Sequence, residues 1–472
     1  MKKNCLLFIL LLGFTHLHAQ TIEQYFERIR NNTAELTAFF AQMPKGGDLH
    51  HHYSGSVYAE TYIDYIVSKD YYLSLNTLKV DSTASLDNAK ISTLIKAGQW
   101  PMYKAKLLEK WSVKDYDGVS YPSDKQFFDT FGYFDIASSQ QLDVGLLELK
   151  NRAKAENVSY IETMLKTIPL TSALKNINRS YNEKLRQADS LQDEVLLTKI
   201  LDSLYATIID SGAVACADTF NQTIEALHKK ALIDDGSFKM RYMNYATRIK
   251  QPLDVFRSLV LSFISASRSK LIVGVNIVAP ENDNVSMRDY RLHMLMFKYC
   301  HKKYDSVKYS MHAGELVLGM VKPEELNWHI DAAVRMAGAS RIGHGVDLPY
   351  ERNAYDLLRY MASNKIAVEI NLYSNEFILK VKDDQHPIRL YYTSKVPIVI
   401  STDDAGVLRT NLTEQFVLLA KRYPYISYRD IKSFVYNSID YSFIKEDEVK
   451  EQLKKQLQNS FTAFERKVLA NK

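Results

Sequence analysis

His50-His51-His52 is a tripeptide whose chemistry depends on its backbone. On a strand, alternate side chains share a face, so His50 and His52 point the same way while His51 points away. Two imidazoles about 7 Å apart along a strand can converge on one ion. A solvated histidine-rich loop is an equally open reading of these three residues alone. Met311-His312-Ala313-Gly314-Glu315 follows an apolar run and sets a third imidazole three residues before a carboxylate. Arg341-Ile342-Gly343-His344-Gly345 places a histidine between glycines, which allow a close approach to a ligand or a tight turn. Ile398-Val399-Ile400-Ser401-Thr402-Asp403-Asp404 is a β-branched run that ends in two adjacent acids. Such a pair at a buried strand end repels itself unless a cation or donors sit beside it. A helix N-cap would account for Asp404 but not for Asp403. Three histidines and one aspartate can hold zinc and leave room for water.

These residues need a scaffold that brings distant strand ends together. Eight strands are predicted, at Asp48–Tyr53, Asn157–Met164, Lys239–Thr247, Lys270–Val278, Ser306–His312, Ser340–His344, Ile366–Asn371 and Pro397–Thr402. Helical patterns separate most of them, which argues for parallel βαβ units and an α/β fold, a (β/α)8 barrel with helical insertions. Active sites of such barrels lie at the C-terminal ends of the strands. A helical extension over 20–42 precedes the barrel, which is read over 43–472. Two connections are long, Ser54 to Glu156 and Leu165 to Phe238. The first is placed to act as a lid and carries Phe127, Phe128, Phe131 and Phe134 at helical spacing, which favours a core-facing helix over a substrate cover unless the metal site is real. After Asp404 the pattern is helical to the end.

In this order and at these strand ends, the motifs resemble the adenosine deaminase family of the amidohydrolase superfamily. The matching residues are Pro44-Lys45, Leu49-His50-His51-His52, His312-Ala313-Gly314-Glu315, Arg341-Ile342-Gly343-His344-Gly345 and Ser401-Thr402-Asp403-Asp404, with Asn437-Ser438-Ile439 and Ser442-Phe443 downstream. The start of the chain and the Met43-Pro44-Lys45-Gly46-Gly47 lead-in are similar to the secreted, growth-factor-related branch. The resemblance implies one zinc per chain, held by His50, His52, His312 and Asp403, and chemistry by Glu315, His344 and Asp404. It implies hydrolytic release of ammonia from adenosine or 2′-deoxyadenosine, with Glu315 protonating the ring, His344 orienting or deprotonating water, and Asp404 contacting substrate or water. Two positions depart from the family pattern. Ser54 stands where an acid meets the ribose, and Ala279 stands near a glycine whose backbone meets the purine. Another purine or amine as substrate, or a secreted binding protein with little turnover, are the competing readings.

Composition bounds the rest. A chain of 472 residues that is 46% hydrophobic and 24% charged can bury one large core. Lys2 and Lys3 before the apolar run Leu6 to Phe14, with Ala19 beyond it, predict a signal peptide over 1–19 and export to a periplasmic or extracellular location. Its removal takes away two lysines and no acid, so the formal charge of +5 falls further and nucleic acid is not an expected partner. No later run predicts a membrane helix. Beyond the signal, Cys216 and Cys300 are either one disulfide or two buried thiols, too few for a cysteine-rich zinc site.

Overall fold

The computed structural model describes residues 21–470. The predicted signal peptide and its cleavage position lie outside the described residues. Eight parallel strands appear in the predicted order: β1 (Gly46–His52), β2 (Val158–Lys166), β3 (Lys239–Thr247), β4 (Ile272–Val278), β5 (Lys308–Ala313), β6 (Arg341–His344), β7 (Ala367–Ile370) and β8 (Ile398–Ile400). Each pairs with its neighbour in sequence. A parallel bridge between His51 and Asp403 closes the sheet into a (β/α)8 barrel. Across that seam Asp403 N–H donates to the His50 carbonyl at 2.9 Å and His52 N–H to the Asp403 carbonyl at 3.3 Å. Asp48 reinforces it, accepting from Thr402 Oγ1 at 2.6 Å.

Sequence explains where these elements sit. Ile398, Val399 and Ile400 are wholly buried, as expected of a parallel strand covered on both faces. The extension is two helices, Ile22–Ile29 and Thr33–Gln42, where the sequence predicted one continuous pattern. Asn32 breaks it, accepting from Ala34 N and Glu35 N as the second N-cap. Phe39 packs on Phe464 and Phe40 on Phe416, so the extension shares its core with the C-terminal helices Leu412–Arg422 and Asp447–Ala470.

The first long connection holds a small antiparallel sheet of Tyr72–Ser74, Val80–Asp81 and Asn88–Lys90, which the sequence did not predict, and the helix Ser123–Ser138. The second is helical, with Tyr181–Ser190, Glu194–Asp210 and Ala213–Lys230. Cys216 and Cys300 are free and buried, which decides against a disulfide between them. No single helix among the described residues is long and apolar enough to cross a membrane.

Candidate active site

The C-terminal ends of β1, β5, β6 and β8 bring His50, His52, His312, His344 and Asp403 into one cluster. Ring centroids of His50 lie 4.4 Å from His312, 4.7 Å from His344 and 5.5 Å from His52. Asp403 Oδ1 lies 3.5 Å from His50 Nε2 and 3.3 Å from His52 Nε2. His52 Nε2 lies 3.1 Å from His312 Nε2. The tightest donor groups are His50, His312, His344 and Asp403, and His52 with Asp403 and Asp404. His51 points away, with its Nδ1 3.0 Å from Thr163 Oγ1. His344 at φ +69° and Asp403 at φ +65° occupy a region that costs a non-glycine residue about 1–3 kcal/mol. Gly343 leaves room for the cluster, because a Cβ there would meet His50 Cε1 at 2.5 Å.

Hydrogen bonds outside the cluster decide which ring nitrogens are free. The Ile277 N–H donates to Asn276 Oδ1 at 2.7 Å, which fixes that oxygen as an acceptor facing His312 Nδ1 at 3.0 Å. His312 therefore carries its proton on Nδ1 and presents a lone pair at Nε2. His50 Nδ1 lies 2.8 Å from Glu369 Oε2, which turns its Nε2 into the cluster, where that buried nitrogen has no hydrogen-bond partner. Ser374 Oγ donates to Asp403 Oδ2 at 2.6 Å and leaves Oδ1 toward the imidazoles. This is the outer-sphere pattern that orients metal ligands.

The electrostatics favour one positive charge here. Burial opposes the charged form of His50, but Asp403 and Glu369 outweigh it and push its pKa up to about 10. Burial and the neighbouring imidazoles lower the pKa values of His52 and His312, leaving both as neutral donors. Burial also opposes the Asp403 charge, yet His50 and His52 hold it well below the usual carboxylate range. Neutral nitrogen lone pairs converging on an ionised carboxylate fit a divalent cation.

His344 differs. The Ile388 N–H donates to His386 Nδ1 at 3.2 Å, and burial pulls His386 down to about 3. Neutral His386 therefore carries its proton on Nε2 and donates to Asn375 Oδ1 at 3.1 Å. The Asn375 amide then turns its nitrogen to His344 Nδ1 at 2.9 Å. Burial holds His344 neutral too, near 3, so its proton sits on Nε2, 3.7 Å from Glu315 Oε1.

His52, His312, Glu315, His344 and Asp404 line a cavity of about 340 Å³, and Ser54 and Ala279 line it as well. Ala279 has φ +86°, a backbone state that suits glycine. Phe127, Phe128 and Phe131 also face this cavity, so the helix Ser123–Ser138 covers the site, the lid reading that the sequence tied to a metal site. Phe134 does pack inward, on Tyr62 and Trp111. The acid pair is not a helix cap, since the next helix starts at Leu412 with Asn411 as its cap.

Glu369, Asn276, Ser374, Asn375 and His386 were not singled out from sequence. Glu369 left a signal, as the lone acid in the buried strand β7. It also belongs to a buried ion network, because Arg341 donates through Nε to Glu369 and through Nη2 to Glu162. Arg341→Met leaves both acids without their cation, and a broken buried pair costs about 3–5 kcal/mol. Chemical denaturation should show a loss of that size, with weaker metal retention as Glu369, the partner of His50, loses its guanidinium. Unchanged stability and metal content would remove the network from the account.

A barrel with a histidine-aspartate cluster that could hold a metal ion at its C-terminal face is the class defined by this fold and site. The family model for adenosine deaminase matches residues 202–460, more than half of the chain. The chain belongs to the adenosine deaminase family. An adenosine deaminase of Clostridium perfringens is 33% identical over 146 residues, 31% of this chain and 40% of that protein. The chain thus spans about two fifths of the length of such curated relatives. A zinc-bound amidohydrolase from Burkholderia ambifaria superposes with a TM-score of 0.59 at 16% identity, over 92% of this chain and 95% of that one. The Arabidopsis ADAL protein complexed with GMP gives a TM-score of 0.55 at 19% identity, over 90% and 98%. At these identities the two structures speak to the fold.

Proposed function

We propose that this protein is a zinc-dependent hydrolase that deaminates adenosine or 2′-deoxyadenosine to the inosine form and ammonia. The observation that carries the reading is the convergence of His50, His52, His312 and Asp403 beside the cavity that Glu315, His344 and Asp404 line. His50, His52, His312 and Asp403 would hold the metal, one ion per chain. Zinc, when bound, makes a water nucleophile available near neutral pH by lowering the pKa of water from 15.7 to about 7.

The chain's own groups do the rest. Burial and the Asp403 charge push Glu315 up to about 8, so its carboxyl is protonated at neutral pH. It gives that proton to a ring nitrogen, which makes the amine-bearing carbon electrophilic. His344 Nε2–H donates and so orients water, while its Nδ1 is occupied by Asn375; orientation rather than deprotonation is its role. Asp404, whose pKa burial and Asp403 raise well above the ordinary value, offers a buried Oδ1 without a partner to substrate or water. The water oxygen bonds to the ring carbon and the carbon–amine bond breaks; one water proton passes to the amine, which departs as ammonia, and the other restores the proton Glu315 gave to the ring nitrogen.

The cavity lining favours a nucleoside over a nucleotide. Among the described residues that line it there is no lysine or arginine to meet a phosphate. Ser54 offers a hydroxyl to a ribose, a weaker partner than a carboxylate. A panel of purine nucleosides, bases and nucleotides assayed for ammonia release should show adenosine and 2′-deoxyadenosine ahead of adenine and AMP. Preference for AMP or a non-purine amine would overturn this choice of substrate. Export with cleavage near Ala19 belongs to the same proposal, and mature protein found in the cytosol with Met1 intact would overturn it.

A further inference from the structure

The loop that carries Glu315 is held along both of its polar edges. Gly314 sits at φ +74°, and a Cβ there would meet Asp347 Oδ1 at 2.3 Å and Ile330 at 2.7 Å. The carbonyls of Ala313 and Gly314 accept from the backbone, from Gly345 N at 3.0 Å and from Val346 N at 2.8 Å. The N–H groups of Gly314 and Glu315 turn the other way, to a single side chain. Glu281 Oε1 accepts from Gly314 N at 3.2 Å, and Oε2 accepts from Glu315 N at 2.9 Å.

Glu281 is itself anchored. His329 Nδ1 lies 2.6 Å from Oε1, and Arg248 Nη1 lies 3.6 Å from Oε2. Tyr290 stacks on the His329 ring at 3.7 Å and donates its hydroxyl to the His329 carbonyl at 2.9 Å. Burial opposes a charge on Glu281, yet His329 and Arg248 hold it below the usual carboxylate range. Only an ionised carboxylate offers an acceptor oxygen to each of two adjacent N–H groups; an amide offers one oxygen and sets an NH2 against the other donor. Neither Glu281 nor His329 lines the cavity, and the Glu281 carboxylate itself meets the Glu315 loop through the Gly314 and Glu315 amides.

We propose that Glu281 is a positioning residue that clamps two consecutive amides of this loop and so fixes the Glu315 carboxyl over the site. The inference rests on the reading of Glu315 as proton donor. The competing account is that Glu281 merely satisfies two buried N–H groups, as any folded loop requires.

A double-mutant cycle of Glu281→Gln and Glu315→Gln separates the two, read as kcat, KM, zinc content and melting temperature on the same preparations. Misplacing a reacting group by about 1 Å can cost about 10²-fold. Glu281→Gln alone should therefore lower kcat by about that factor, with KM and zinc content little changed. In the Glu315→Gln background it should cost no more than about twofold, because coupled groups are non-additive. Equal losses in both backgrounds, or an unchanged kcat, overturn the clamp. Near-normal turnover of Glu315→Gln alone would instead overturn the proton-donor reading. If Glu281→Gln does not fold, His329→Gln removes the closest anchor of the carboxylate, and the same cycle has the same two outcomes.

Discussion

Glu315→Gln is expected to keep its fold and its zinc while losing turnover by about 10²–10⁴-fold or more, the range of general acid catalysis. Glu315 lines the cavity, 3.7 Å from the His344 imidazole, and is not among the converging ligand atoms. Burial, then the Asp403 charge, pushes its carboxyl up to about 8. The protonated form is the active one, so activity is present below that pKa and falls as pH rises through it. A cation on Asp403 cancels part of the repulsion, which places the falling limb at or below about 8. The limb should vanish in the Gln variant, whose amide does not titrate. A group that only orients a ligand behaves differently, typically costing about 10–100-fold in metal affinity or activity. Single-turnover rates and zinc content on one preparation decide. Zinc retained with near-normal turnover would remove Glu315 from the mechanism.

His312→Ala should lose the metal itself. His312 Nε2 is a lone pair aimed by Asn276 at the shared ion position, whereas the neighbouring His344 has its Nδ1 engaged by Asn375 and turns an N–H toward the cluster. Elemental analysis should fall from one zinc per chain to a small fraction of that, and turnover should fall with it. A melting curve on the same sample establishes that the protein is folded. A folded variant with a full equivalent of zinc would exclude His312 as a ligand.

The parts of the site that sequence revealed are those where a strand pattern ends in a reactive side chain. His312 and Asp403 close apolar runs, and His50 and His52 share one face at the end of a short strand, so strand alternation and residue chemistry marked the same positions. Their partners were hidden because hydrogen bonds between strands depend on the register of closure. Asn276 reads as an ordinary residue until β4 lies beside β5. Asn375 and His386 come from a helix and a loop that meet only after β7 and β8 pair. The small sheet at Tyr72–Lys90 was invisible for another reason, since strands of two or three residues carry no periodicity. Asn32 was readable as a cap, but the helical pattern on both sides of it obscured the break. Phe127 to Phe134 show the ambiguity of an apolar helix face: three rings cover the cavity and one packs in the core.

The most direct measurement is adenosine turnover as a function of bound zinc. Protein stripped with a chelator and titrated with zinc should gain activity in proportion to the metal taken up. The rise should break at one equivalent per chain, with one ammonia released for each inosine formed. Stripped protein that still deaminates adenosine at the full rate, or zinc-loaded protein that releases no ammonia from it, would contradict the account.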